Sequence, residues 1–384
     1  MLSRQTPGSE SREPFRPAME VIHPLPLLGG TVGLTVWPAC NRISLSMTGK
    51  SYHFILFLAI VLCLMLGGLF HPVWSGGKSL YYRDVQNFHY PIWKMTADEV
   101  RQGHFPLWNP RIHFGLPVLG NPNYLLWYPP AWIRFVLDPW LSFHLFVAGH
   151  LLLGGLAFFG LGRAWRIGPA AAGWGALAYT CSGVCLSTVH IFLLVTYVLL
   201  APLTLWALEK VIERGTFRSL AGLALCGAAL VTVFEPLMAA GLMLLAGGRV
   251  LAALWPFSGA PGRWPLIRRL AVAVVAAGLL AGPVLVEGAR LLGQTGRAGT
   301  GVDRTYAQPP ALTLELFFPN PLGFNFDDKS TYRGNDYHEG RDPYFLSIFA
   351  GLGPLLLILA GFSRRGLSRR SAWPLAAGAA LLVL

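Results

Sequence analysis

The chain has 384 residues, of which 54% are hydrophobic and only 12% are charged, and its formal net charge is +12. Soluble domains contain about 25% charged residues, so this composition excludes an ordinary soluble protein and indicates an integral membrane protein. A nucleic-acid partner is not predicted, because the Lys and Arg residues bracket apolar runs instead of clustering on one polar face.

The first 52 residues lack apolar periodicity and are rich in Pro, Ser and Arg. A segment of this composition cannot bury a core, so we expect residues 1–52 to form a disordered, basic, cytoplasmic tail. Met47 directly precedes the first apolar run, and a chain that starts there is the alternative.

Eight apolar runs are long enough to cross about 30 Å of hydrocarbon. They are 53–71, 141–162, 169–188, 192–209, 219–234, 236–255, 270–289 and 344–362. A ninth begins near Trp373 and continues to Leu384, which favours a fragment of a longer protein. The sequence therefore predicts an all-α polytopic domain over 53–384 with about eight or nine transmembrane helices.

The distribution of positive charge sets the expected orientation. If the N-terminus is cytoplasmic, 18 of the 30 Lys and Arg residues fall in short segments on that same side. The others lie in 72–140 and 290–343, which are long and so count little in the positive-inside rule. Both long loops are predicted on the extracytoplasmic face.

The first of these loops holds the stretch from Ser79 to Pro130, which combines charges, prolines and many aromatic residues between two apolar runs. Prolines and charges of this kind cannot form a spanning helix, so the stretch must be a folded loop. A loop this long is typical of a functional segment. We expect its aromatic residues, among them Trp93 and Tyr128, to lie at headgroup level.

Asp84 is the main catalytic candidate in this loop. It follows the first apolar run by about a dozen residues, where a carboxylate at the membrane boundary can accept a proton from an acceptor hydroxyl. The alternative is a solvated acid that pairs with Arg83 or Lys94.

Glu287, Arg290 and Arg297 form a second group of candidates, at the outer end of the run 270–289. Guanidinium groups bind phosphate oxygens in a bidentate way, which suits a lipid-linked phosphate. Ordinary interfacial anchoring is the alternative.

The second long loop adds Tyr332 and Arg333 as candidates for binding the substrate. Adjacent carboxylates at Asp327 and Asp328 can bind a divalent cation, but no further ligand at fixed spacing supports one, and a solvated turn is the alternative. The cofactor therefore stays open. No P-loop, GxSxG or HExxH motif occurs in the sequence.

The run RQGHFPLWNPRIHFGLPVLGNPNYLLWYPP, from Arg101 to Pro130 and preceded by Asp84, resembles the first outer loop of the bacterial YfhO-type membrane proteins. The resemblance recurs at 281–299, 314–325 and 344–357. It implies membership of the GT-C group of multi-pass glycosyltransferases, which use polyprenyl-phosphate sugars, and it implies a catalytic role for Asp84. Asn109 and Asn121, in the PLWNP and GNPN blocks, are then candidates for binding the substrate.

These observations predict a glycosyltransferase in the bacterial cytoplasmic membrane. It would move a sugar from a polyprenyl-phosphate donor to a cell-envelope acceptor on the extracytoplasmic face. Its partners would be the lipid bilayer and the lipid-linked sugar. Two alternatives stay open, namely a transporter or flippase of lipid-linked sugars and a non-catalytic membrane partner of an envelope synthase.

Overall fold

The chain divides into two units, Met1–Ser46 and Met47–Leu384. The computed structural model describes residues of the second unit only: 49–80, 84–112, 114–254, 262–294, 310–318, 320–323, 333 and 345–349. The expected tail, 1–52, therefore lies almost wholly outside the described residues, as does the expected ninth span.

The described residues are predominantly helical. In chain order the α-helices are α1 (Gly49–Leu69), α2 (His71–Gly76), α3 (Tyr90–Arg101), α4 (Ile133–Val136), α5 (Pro139–Ala164), α6 (Pro169–Thr180), α7 (Gly183–Ser187), α8 (Phe192–Glu213), α9 (Phe217–Thr232), α10 (Pro236–Leu254), α11 (Arg263–Leu280) and α12 (Gly282–Gln294). A π-helix covers Val85–His89, and 3₁₀ turns cover Pro122–Tyr124, Pro129–Trp132, Thr188–His190 and Pro310–Leu316. Two short antiparallel strands, β1 (Trp108–Asn109) and β2 (Leu116–Pro117), pair Trp108 with Pro117.

Four of the described helices, α1, α5, α8 and α10, are long and apolar enough to cross a membrane, and α11 with α12 would make a fifth if the bent pair is one span. The fold is accordingly that of an all-α membrane protein. The runs 53–71, 141–162, 192–209 and 236–255 each coincide with one of these four helices.

Three other expected spans are not continuous long helices. Run 169–188 breaks after Thr180, and α7 begins anew at Ser182, whose hydroxyl accepts a hydrogen bond from the Cys185 amide. Run 219–234 forms a helix of only 16 residues. Run 270–289 bends by 66° between α11 and α12. Of run 344–362, only 345–349 are described, and they are not helical.

The centre of the bundle is the parallel pair α5 and α8, both largely buried, whereas α1 and α10 are largely exposed. Small residues allow the close approach: a Cβ on Gly154 would lie 2.6 Å from the Val198 carbonyl oxygen, and one on Gly160 2.9 Å from the Trp206 ring. Inside a bilayer the hydrophobic effect does not drive helices together, so close backbone packing of this kind contributes to their association.

The bundle has two ends, which we name by their connections. At the loop end α1 finishes, α5 and α8 begin, and the folded segment 71–138 covers the helices. At the turn end α5 and α8 finish, and Trp165 Nε1 just beyond α5 donates to Glu209 in α8 at 2.9 Å.

Part of the segment 71–138 packs into the core of the bundle. Trp93 and Tyr128 are each only 1% exposed. The expectation that they lie at headgroup level stays a prediction, because burial among protein side chains does not fix a depth in the bilayer. Trp93 packs edge-on against Phe143 and Phe192, which stack on each other at 4.6 Å, and its Nε1 donates to Ser142 at 2.9 Å. Aromatic pairs with satisfied polar tips explain this burial.

Candidate functional site

Asp84 precedes the π-helix Val85–His89 directly and is half-buried. Its carboxylate has no hydrogen bond or ion pair to another described residue, so neither alternative partner is seen: Lys94 pairs instead with Asp98 at 2.6 Å, and Arg83 lies outside the described residues. Val85, the next residue, is 1% exposed and anchors this point of the chain in the core. π-helices are rare and frequently mark functional sites.

Residues 79 and 80, the last described residues before Asp84, are fixed to α5 by a histidine. His144 Nδ1 donates to the Trp140 carbonyl at 2.7 Å, which leaves Nε2 as an acceptor for the Leu80 amide at 3.2 Å. The Ser79 hydroxyl lies 3.2 Å from the same Nε2. A neutral imidazole thus holds residues 79 and 80 against the start of α5.

The chain just after Asp84 is fixed to α8 by a second histidine. His89 Nε2 accepts a hydrogen bond from the Phe192 amide at 3.2 Å, one of the donors that a helix N-terminus leaves unpaired. Burial, and next the nearby His190, lower the pKa of His89 to about 3, so the ring is neutral. The described chain is therefore anchored to α5 at residues 79 and 80 and to α8 at His89, on either side of Asp84 in the sequence.

An open groove of about 370 Å³ lies beside this segment. The end of α1 and the start of α2 form one apolar wall, and Leu186 and Val189 form the other. Lys78 and Ser79 supply its polar rim. Asp84 comes four residues after Leu80, which also lines the groove, so their Cα atoms are at most about 14 Å apart.

The two asparagine candidates serve the loop's own structure. Asn109 is 2% exposed, and its side chain donates to the Tyr124 hydroxyl at 3.0 Å and accepts from the Arg111 amide at 3.0 Å. Asn121 caps the turn Pro122–Tyr124 by accepting from the Asn123 amide at 3.1 Å. Both positions stabilise turns, and Asn121 stays partly accessible.

Helix α12 packs directly on this part of the loop. A Cβ on Gly120 would overlap the backbone of Glu287, so only glycine allows the contact. Asn121 and Glu287 are thereby brought together. Glu287 accepts from Arg290 at 2.7 Å in an exposed pair, and Arg290 is 69% exposed. Arg290 therefore lies on the same end of the bundle as Asp84, without a contact between the two.

The start of the run 344–362, just after the second long loop, docks near the groove. Ser347 exchanges hydrogen bonds with the Ser187 hydroxyl at 2.9 and 3.0 Å, and the Gly183 amide donates to Phe349 at 2.9 Å. These bonds dock residues 345–349 on α7, whose Leu186 lines the groove. Arg333 is exposed, and its amide donates to Leu322 at 3.0 Å. Arg297, Tyr332, Asp327 and Asp328 lie outside the described residues.

A buried arginine was missed in the sequence. Arg134 is 1% exposed, and two of its nitrogens have no hydrogen-bond partner among the described residues. Its guanidinium stacks 4.9 Å from the Trp93 ring centre and 5.0 Å from that of Phe135. Burial lowers the pKa of Arg134 to about 9, so it is still a cation at neutral pH. Cation–π contacts with these two rings compensate part of its desolvation.

Among the described residues there is no group of three or more His, Cys, Asp or Glu side chains that could hold a metal ion. The groups near Asp84 at the loop end are its half-buried carboxylate, two neutral histidines that anchor the chain before and after it, an apolar groove and an exposed lysine. A carboxylate beside an apolar groove can accept a proton next to a lipid-borne substrate.

Compared with family models, with curated proteins and with solved structures, the chain has no match.

Proposed function

We propose that the protein is a membrane glycosyltransferase. It transfers a sugar from a polyprenyl-phosphate donor to a cell-envelope acceptor, with Asp84 as the general base that removes the proton of the acceptor hydroxyl. The observation that carries this proposal is the position of Asp84: it is half-buried, it directly precedes the π-helix that His89 anchors to α8, and it comes four residues after Leu80 in the groove.

The groove supplies the donor site in this proposal. Its apolar walls suit a polyprenyl chain that enters from the bilayer, and Lys78 on its rim suits the phosphate. Arg290 contributes further positive charge at the same end, reduced by its pair with Glu287. The donor is carried by the membrane, so no soluble nucleotide pocket is required.

The proposal also includes the finer architecture. The bundle would be GT-C-like with eight or nine crossings, counting spans that lie outside the described residues. It would be in a bacterial cytoplasmic membrane, with the N-terminus cytoplasmic and the loop end extracytoplasmic. The excess of Lys and Arg in the short connections supports this orientation.

The test is sugar transfer by purified protein reconstituted with a polyprenyl-phosphate sugar. Loss of a general base costs about 10²- to 10⁴-fold in turnover, so D84N should lose activity by this factor. Asp98, in the same segment but paired with Lys94, provides the matched control D98N, which should keep wild-type turnover. Equal turnover of D84N and wild type would refute the proposal.

A transporter or flippase is the second candidate, and one observation favours it. Glu209 in α8 is 3% exposed and accepts a bidentate pair from Arg249 of α10 at 2.5 and 2.8 Å. Ionisable residues inside membrane helices often mark transport paths. Uptake of a lipid-linked sugar analogue by sealed vesicles, unchanged in D84N and lost in E209Q, would establish this candidate instead. A non-catalytic partner of an envelope synthase would show neither transfer nor uptake.

A further inference from the structure

A second open groove lies at the turn end of the bundle, away from Asp84. It has a volume of about 360 Å³ and runs between the last part of α8 and the first part of α9. Leu203, Trp206, Leu225 and Cys226 give it apolar walls, and Gly222 forms part of its floor. A Cβ on Gly222 would meet no atom within 4 Å, so the floor is open at this point.

Two cations close one end of this groove. Lys210 and Arg218 both line it, at positions where the antiparallel helices α8 and α9 approach the connecting turn. The positive charge of Lys210 is partly compensated by Glu213, whose Oε2 lies 3.5 Å from the Lys210 Nζ. Arg218 is exposed and makes no ion pair within the part of the chain that the structure describes. The groove therefore has a net positive end and an apolar remainder.

The groove has the dimensions and setting of a lipid site. Leu203 and Lys210 are seven residues apart on one helix, so the apolar part extends about 10 Å from the cationic end. Phe217, beside Arg218, is 83% exposed, as expected for an aromatic residue at a membrane interface. Basic pockets between transmembrane helices bind anionic lipid headgroups.

We propose that this groove binds an anionic phospholipid, with its phosphate between Lys210 and Arg218 and one acyl chain along Trp206 and Gly222. Charge complementarity selects the anionic headgroup, and the apolar walls require that it carries a chain. This site is separate from the proposed transferase site, and its test does not depend on sugar transfer.

The first experiment measures the midpoint of thermal unfolding of the purified full chain after delipidation. Phosphatidylglycerol should raise the midpoint by about 3 to 6 °C, more than phosphatidylcholine with the same acyl chains. Soluble glycerol phosphate should give no shift. An equal shift with both lipids, or the full shift with glycerol phosphate alone, would overturn the proposal.

The second experiment fills the groove. G222L places a side chain in the open space of its floor, and G247L adds the same side chain to α10, where a Cβ also meets no atom within 4 Å. G222L should abolish the phosphatidylglycerol shift, and G247L should retain it. Both variants gain the same helix propensity, so their unliganded midpoints control for folding.

The third experiment removes the headgroup contacts. The double variant K210Q/R218Q should bind phosphatidylglycerol about tenfold or more weakly in native mass spectrometry. R263Q, which removes an exposed arginine at the start of α11 on the same end, should bind as the wild type does. A retained shift in G222L, or equal binding by K210Q/R218Q and R263Q, would show that the lipid binds elsewhere.

Discussion

The grooves at the two ends of α8 are alike in form and different in surroundings. Each is open, has apolar walls and carries positive charge at one end. The groove at the loop end has Asp84 four residues beyond its lining residue Leu80, as an acid without an ion pair among the described residues, and hydrogen bonds of His144 and His89 anchor the chain at residues 79–80 and at residue 89. The groove at the turn end has Glu213 paired with Lys210 and no comparable scaffold within the described residues. Under the two proposals, both grooves hold a lipid through apolar walls and a cation, and Asp84 adds chemistry at the loop end.

The sharpest test of this contrast is a crossed experiment. D84N should lose sugar transfer by about 10²- to 10⁴-fold and keep the phosphatidylglycerol shift. G222L should show the reverse: no lipid shift and near wild-type transfer. Transfer rates in proteoliposomes and thermal midpoints in detergent give the two readouts. If either variant lost both properties, the two grooves would not be separable functions.

The contact between the loop and α12 should have the next largest effect. G120A forces a methyl group into the Glu287 backbone, whereas a Cβ on Gly288 would lie 3.7 Å from the Gly120 carbonyl, an ordinary contact. Overpacking costs about 1–3 kcal/mol, so G120A should lower the thermal midpoint and displace Arg290 from the site. G288A is the matched control and should resemble the wild type. Equal thermal midpoints for G120A and G288A would show that the contact adjusts to the added methyl group without loss of stability.

Acid should weaken the loop end through His89. Because its pKa in the folded protein is about 3, below the usual 6.5, the unfolded chain takes up the proton first. The stability that neutral His89 contributes is complete above about pH 6.5 and is lost as the pH falls towards 3. The loss is about 2 kcal/mol between pH 6.5 and 5.

The variant H89Q tests this, because the glutamine oxygen can still accept from the Phe192 amide but does not titrate. Thermal midpoints at pH 7 and pH 5 should differ less in H89Q than in the wild type. An equal change of the thermal midpoint in H89Q and in the wild type would mean that His89 can be protonated without loss of the fold.

Lys78 should give the smallest effect. It is exposed, so its attraction to a phosphate is screened, and K78Q should raise the KM for the polyprenyl-phosphate donor about threefold to tenfold with little change in kcat. K94Q removes another lysine of the same segment and serves as the control. A fall in kcat with unchanged KM would instead give Lys78 a part in the chemical step.

Hydropathy was sufficient to predict the long, uninterrupted apolar helices. It was insufficient where one helix ends and another begins inside the same apolar run. The runs that became α1, α5, α8 and α10 are uninterrupted apolar segments. Run 169–188 is equally apolar, yet Ser182 caps a new helix inside it, and a hydropathy sum does not register a cap. Run 270–289 bends where Gly282 and Pro283 begin α12, residues that permit a break without lowering apolarity.

The sequence predicts one residue of the proposed site and gives no sign of the residues that anchor the chain on either side of it. Asp84 is a lone acid at a distinctive position, and the sequence indicates it. His89 and His144 gave no metal spacing and no motif, because their role is to accept backbone amides on helices that are distant in sequence. The sequence did not show that Trp93 and Tyr128 are buried, because amphipathic rings suit both a membrane interface and a core with polar partners.

The π-helix lets the chain carry one extra residue beside Asp84 without turning Asp84 away. A π turn holds one residue more than an α turn, and it spreads this residue over about the same rotation. Deletion of Gln86 would let Val85–His89 wind as ordinary α-helix, with α3 still held by Trp93 in the core. Asp84 would then face nearly the same side of the segment, whereas a deletion inside α3, where each residue turns the chain by about 100°, would rotate the proposed base away.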